Sequence, residues 1–250
     1  MRTTLKIIVT FFIFAITISC SSENTFVESN TIAPPIANPS LQLQTRAETI
    51  NYLALGDSYT IGQSVCETCR FPEQLKSALK NINLQNNFSL EIIARTGWTT
   101  TDLISAIEFN NPKNNYDLVT LLIGVNNQYQ GRNFSIYEKE FPLLVTKAIS
   151  LAKGDKNKLI VVSIPDYAYT PFGESYGNAT SISTEIDRYN AFAKSYCEAN
   201  EILFINITDI TRQGLNNATL VANDGLHPSK EAYALFVQRL LTKAVAILQN

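Results

Sequence analysis

Two short stretches of the sequence hold the residue types of nucleophilic catalysis. Gly56-Asp57-Ser58-Tyr59-Thr60 follows an apolar run directly, and Asp224-Gly225-Leu226-His227-Pro228-Ser229 contains the chain's one histidine. A serine hydroxyl is a weak nucleophile until a positioned base takes its proton, and His227 is the only imidazole available to Ser58. The spacing of three lets the Asp224 carboxylate reach one ring nitrogen of His227, leaving the other for Ser58. Asp224 then fixes the tautomer and stabilises the imidazolium. A developing oxyanion needs donors, and two further stretches offer them. Arg95-Thr96-Gly97-Trp98 holds a glycine whose backbone N–H can approach a ligand closely, and Ile123-Gly124-Val125-Asn126-Asn127 holds the side-chain amide of Asn126. Such a donor is worth about 3–4 kcal/mol in a transition state. Ser58 adds its own backbone N–H if a helix starts there.

These residues need a scaffold that brings distant segments to one edge. Apolar runs at 50–55, 90–94, 118–123, 158–164 and 202–207 predict strands, several continuous enough for strands covered on both faces. Helical patterns lie between and after them, at 72–80, 101–109, 136–152, 183–198 and 230–248. The last carries Ala232, Leu235, Phe236, Leu240, Ala244 and Ile247 at helical spacing. Alternation of this kind predicts an α/β fold, a three-layer α/β/α sandwich around a mostly parallel five-stranded sheet with right-handed crossovers. In such sheets, sites form beyond the carboxyl ends of the strands, which is where Ser58, Gly97 and Asn126 fall.

With its blocks in order, Gly56-Asp57-Ser58, then Gly97, then Gly124-Val125-Asn126-Asn127, then Asp224-Gly225-Leu226-His227, the sequence resembles the SGNH family of GDSL-type hydrolases from about residue 50 to 250. The resemblance implies a flavodoxin-like fold and a serine hydrolase acting on carboxylic esters. It gives Ser58 the role of nucleophile, His227 that of general base and then acid, and Asp224 that of orienting partner. The oxyanion hole it implies is Ser58 N–H, Gly97 N–H and the Asn126 side chain, with no cofactor and no metal. The third block departs from the family's Gly-x-Asn-Asp, having Asn127 in place of the aspartate. The α/β-hydrolase elbow fits less well, because Thr60 stands where its second glycine belongs. The expected substrate is a small-molecule ester, of a lipid or an acylated carbohydrate, with short acyl groups or a lysophospholipid as the leading classes. Two alternatives are an acyltransferase using the same acyl-serine and a catalytically silent surface binding module.

Each of these residues also has a plainer reading. Ser58 can serve as a helix cap, the Asp224–His227 stretch as a turn before the last helix, and Gly97 and Gly124 as turn glycines; Asp57 is read as structural. Aromatics crowd the expected rim, at Trp98, Tyr129, Tyr167, Tyr169, Phe172 and Tyr176, and Trp98, Tyr167 and Tyr169 are the candidate pocket residues. Cys66 and Cys69 form a Cys-x-x-Cys for which a local disulfide is the favoured reading and two free thiols the next. Cys197, in a helical pattern, reads as a buried apolar residue.

The 250 residues are 45% hydrophobic and 17% charged, with a formal net charge of −2. That composition excludes a disordered, collagenous or coiled-coil chain, and it lacks the basic footprint of a nucleic-acid binder. Arg2 and Lys6 precede an apolar run over 7–18, too short to span a bilayer and suited to an export signal. Thr17-Ile18-Ser19-Cys20 resembles a bacterial lipobox, which implies cleavage before Cys20 and a lipid on its sulfur. The expected organisation is a lipoprotein signal peptide at 1–19, a flexible tether with Pro34, Pro35 and Pro39 at 20–49, and the hydrolase domain at 50–250. The expected location is the bacterial cell envelope, held to a membrane by the lipid anchor.

Overall fold

A computed structural model describes residues 48–83 and 85–249. The expected signal peptide, the expected lipidation site Cys20 and nearly all of the expected tether lie outside the described residues.

Five strands form one parallel sheet: β1 (Thr49–Gly56), β2 (Asn87–Ala94), β3 (Leu118–Leu122), β4 (Leu159–Val162) and β5 (Leu203–Ile205), in the order β2-β1-β3-β4-β5. The sequence pattern follows from this order. The central strands β3 (LVTLL) and β4 (LIVV) are buried throughout and read as apolar runs interrupted only by Thr120, whereas the edge strand β2 (NFSLEIIA) alternates exposed and half-buried positions up to Ile92. Tyr52, Leu53, Leu55, Leu118 and Leu121 are fully buried at the centre of the core. The Tyr52 hydroxyl meets Thr120 Oγ1 at 2.9 Å, so these two buried hydroxyls of β1 and β3 partner each other.

Nine α-helices are described: α1 (Ser58–Ile61), α2 (Phe71–Ile82), α3 (Thr100–Asn110), α4 (Val125–Tyr129), α5 (Phe134–Leu151), α6 (Pro171–Glu174), α7 (Ala179–Ala199), α8 (Thr208–Thr211) and α9 (Lys230–Gln249). The chain runs from β1 through α2 to β2, then reverses direction across the sheet through α3. With right-handed crossovers this reversal sends α3, α5 and α7 to the face opposite α2. The packing agrees: α2 lies on α9, while α3 packs on α5 and α5 on α7. The result is the expected three-layer α/β/α sandwich.

The strand register sets the site. Gly56 pairs with Ala94 on one side and Leu122 on the other, so β1, β2 and β3 end level. Ser58, Gly97 and Asn126 follow these ends within a few residues, which brings them to one edge from three adjacent strands. Gly56 is required where it stands, because a Cβ there would lie 2.1 Å from Thr60 Oγ1 and 2.5 Å from the Leu122 carbonyl oxygen.

Candidate active site

Ser58 opens α1 directly after β1. Asp57 caps the helix, its Oδ1 accepting from Tyr59 N at 3.0 Å. As the first helical residue, Ser58 has no intrahelical partner for its N–H. Neither that N–H nor the Ser58 hydroxyl makes a hydrogen bond among the described residues. Among the described residues, the other carboxylate oxygen of Asp57 is buried with no hydrogen-bond partner, as are Thr60 Oγ1 and Tyr233 OH. Burial is the largest influence on Asp57 and lifts its pKa to about 7, even though the Tyr59 N–H pulls it down.

His227 and Asp224 occupy the turn before α9. The Asp224 Oδ2 atom lies 2.6 Å from His227 Nδ1, while Oδ1 accepts from Leu226 N and His227 N, each at 2.9 Å. Burial works against the Asp224 charge, but hydrogen bonds from Ser64, His227 and the turn's own N–H groups outweigh it and hold the pKa at about 2. An ionised carboxylate only accepts, so Nδ1 carries the proton and Nε2 is left as the free basic nitrogen. The His227 ring packs against Tyr59, centroids 5.1 Å apart.

The segments of Gly97 and Asn126 are tied together at α4 and the residue that follows it. Gly97 adopts φ +83°, in the left-handed region that favours glycine, and its N–H makes no hydrogen bond among the described residues. Its carbonyl accepts from Gln130 Nε2 at 2.9 Å. The next carbonyl, of Trp98, accepts from Asn126 Nδ2 at 3.0 Å. That bond fixes the Asn126 amide and uses one of its two hydrogens, leaving the second without a partner among the described residues. Asn127 completes the grip by bonding Thr100.

A cavity of about 170 Å³ joins these groups, lined by Ser58, Gly97, Asn126 and His227 together with an apolar wall that includes Tyr129, Tyr167, Phe172 and Leu226. Of the pocket residues expected from sequence, Tyr167 is in this wall and Trp98 and Tyr169 are not. Trp98 contributes its carbonyl as a support for Asn126 and packs half-buried on the core; Tyr169 lies at the surface with the Arg212 guanidinium 6.0 Å from its ring. Val125 and Leu226 are wall residues that sequence reasoning missed, although each is flanked by residues singled out for chemistry. Ser64 was missed as well, and nothing in its local sequence marks it. The Cys-x-x-Cys is a disulfide, Cys66–Cys69, and Cys197 is buried, with no disulfide partner among the described residues.

A hydroxyl and an imidazole paired to a carboxylate share this cavity with three N–H donors, a set able to perform acyl transfer. The sequence matches the GDSL-like Lipase/Acylhydrolase family over residues 54–235. The chain belongs to that family. As a GDSL-like acylhydrolase it is a carboxylic ester hydrolase.

Solved structures with the same fold include a lipolytic protein of the G-D-S-L family from Veillonella parvula, 18% identical, with a TM-score of 0.59 over 77% of this chain and 97% of that one. The acetylxylan esterase Axe2 from Geobacillus stearothermophilus is 18% identical, with a TM-score of 0.60 over 80% of this chain and 95% of its own. The psychrotrophic esterase EstA from Pseudoalteromonas sp. is 19% identical, with a TM-score of 0.54 over 80% of this chain and 99% of its own. At such identities the likeness is one of fold. No match to a curated protein was found.

Proposed function

We propose that the protein hydrolyses short-acyl carboxylic esters through an acyl-serine intermediate on Ser58. The observation that carries this reading is the free Nε2 of an Asp224-oriented His227 in the same small cavity as Ser58. Ser58 Oγ attacks the ester carbonyl as His227 Nε2 takes its proton, and the oxyanion receives hydrogen bonds from Ser58 N, Gly97 N and Asn126 Nδ2. Collapse of the tetrahedral intermediate breaks the bond to the alcohol oxygen, and the alcohol leaves with the proton from His227. Water then attacks the acyl-serine, with His227 again as base, releasing the acid and restoring Ser58.

The size of the cavity supports a short acyl group. Pockets for drug-sized ligands run to about 300–1,000 Å³, well above the 170 Å³ next to Ser58. Its apolar wall suits the acyl chain, while the exposed rim residues Tyr129 and Tyr176, hydroxyls 3.0 Å apart, suit the alcohol part. Hydrolysis of nitrophenyl esters from acetate to decanoate tests this, with kcat/KM expected to peak at the shortest chains and decline toward decanoate. A steady rise to decanoate would contradict it and favour a lipid substrate.

The signal-like segment and Cys20 support an envelope lipoprotein. A Cys20→Ser variant is expected to leave the membrane fraction, and continued membrane retention would remove the lipid anchor from this account.

A further inference from the structure

Among the described residues, four donors meet the Asp224 carboxylate. Leu226 N and His227 N reach Oδ1, each at 2.9 Å, and His227 Nδ1 and Ser64 Oγ reach Oδ2, each at 2.6 Å. Three of them belong to the 224–227 turn itself. Ser64 is the exception, lying 160 residues away in sequence. We infer that Ser64 is a positioning residue, which sets the His227 turn against Ser58 by anchoring Asp224. The inference rests on the catalytic roles proposed above.

The position of Ser64 relative to Ser58 supports it. The N–H groups of Gly62 and Gln63 both donate to the carbonyl of Ser58 itself, at 3.1 and 3.0 Å. Ser64 comes next, so a short connected path runs from the Ser58 backbone through Gln63 and Ser64 to Asp224 and His227. Two residues beyond Ser64 the Cys66–Cys69 disulfide braces the next turn, and Gln74 Nε2 of α2 donates both to the Cys69 carbonyl and, at 3.1 Å, to the Lys230 carbonyl, where α9 begins. The loop is thus fixed to both halves of the site.

The backbone of Ser64 is a second indication. It adopts φ +66°, one of four non-glycine residues with positive φ among those described. Glycine or asparagine adopts this region with less strain than serine does. A serine is held there by its surroundings, and what its side chain does there is donate to Asp224. The bond is charge-assisted and shares its acceptor oxygen with His227 Nδ1. It therefore restrains the carboxylate and also draws on the charge available to the imidazolium. Other titratable groups near the pair are Tyr59 from α1, Tyr233 from α9 and Asp57; burial holds both tyrosines neutral. Their contributions are common to all Ser64 variants, which makes comparison between pH profiles informative.

The test compares the wild type with Ser64→Ala, Ser64→Gly, Ser64→Asn and Ser58→Ala, measuring kcat and KM for nitrophenyl acetate between about pH 5 and pH 9. Ser64→Gly removes the hydroxyl while relieving the backbone, so a loss there does not come from strain. Ser64→Asn restores a donor on a residue that tolerates left-handed backbone. The expected result is a kcat about tenfold lower in Ser64→Ala and Ser64→Gly, with KM within about twofold of the wild type. The acidic limb of kcat/KM moves to higher pH in both, because a carboxylate with one donor fewer holds the imidazolium more strongly. Ser64→Asn recovers most of both effects. Normal kcat in Ser64→Gly, an unmoved limb, or no recovery in Ser64→Asn would each overturn the inference. Wild-type turnover in Ser58→Ala would instead overturn the catalytic roles on which it rests.

Discussion

Asn127 holds Thr100 from both sides: its Oδ1 accepts from Thr100 N at 2.9 Å and its Nδ2 donates to Thr100 Oγ1 at 2.7 Å. Thr100 Oγ1 in turn donates its proton to Glu140. A hydroxyl that has given its proton to a carboxylate must accept from its other neighbour, and an amide supplies that donor where an ionised aspartate does not. This explains why asparagine is suited to position 127 despite the aspartate usual in the resembling family. The clasp also joins the segments that carry Gly97 and Asn126.

Asn127→Asp is therefore expected to put a carboxylate oxygen against the Thr100 hydroxyl in a fully buried site. The cost should be about 1–3 kcal/mol of stability, together with a lower kcat as Gly97 and Asn126 lose their register. Thermal denaturation and ester turnover measured on the same preparation check both parts. Unchanged stability would mean that Thr100 reorients freely and that the clasp is not needed.

Asn126→Ala should lower kcat by about 10²–10³-fold with little change in KM, since an oxyanion donor acts on the transition state. Steady-state kinetics on nitrophenyl acetate decide the matter. An effect confined to KM would assign Asn126 to ground-state binding instead.

Asp57 gives stability an unusual pH dependence. Its native pKa of about 7 lies above the unfolded value of about 3.9, so between these values the native state binds more protons. Its contribution accordingly falls as pH rises through that window, by up to about 1.4 kcal/mol per pH unit, and levels off above it. Asp57→Asn keeps a capping oxygen for Tyr59 N but cannot ionise. Melting temperatures at pH 5 and pH 8 are expected to differ less in the variant than in the wild type. An equal difference in the two proteins would show that Asp57 does not titrate in this range.

Sequence patterning reveals most of this fold because its inner strands are covered on both faces. The runs at 118–123 and 158–164 contain β3 and β4, and the helical spacing over 230–248 coincides with α9 except for its last residue. The polar stretch Ala179-Thr180-Ser181 carries no apolar period, so the start of α7 is hidden there. The four- and five-residue helices α1, α4, α6 and α8 are too short for periodicity to register. The site divides in the same way. Ser58, Gly97, Asn126, Asp224 and His227 are conspicuous because their types are chemically distinctive and each falls near a predicted turn. Ser64 is a polar residue in a polar loop, and its contact with Asp224 exists only after the chain has folded. Trp98 and Tyr169 illustrate the converse: an aromatic placed near the site by sequence can still direct its ring elsewhere.

The central claim is an acyl-enzyme on Ser58, and trapping it is the most direct test. Wild-type protein and the Ser58→Ala variant are mixed with nitrophenyl acetate, quenched with acid and digested for peptide mass mapping. The account predicts one acetyl group per wild-type molecule, on Ser58, and none in the variant, whose turnover should fall by at least about 10⁴-fold. Acetyl on another residue, or turnover by the variant at the wild-type rate, would contradict it.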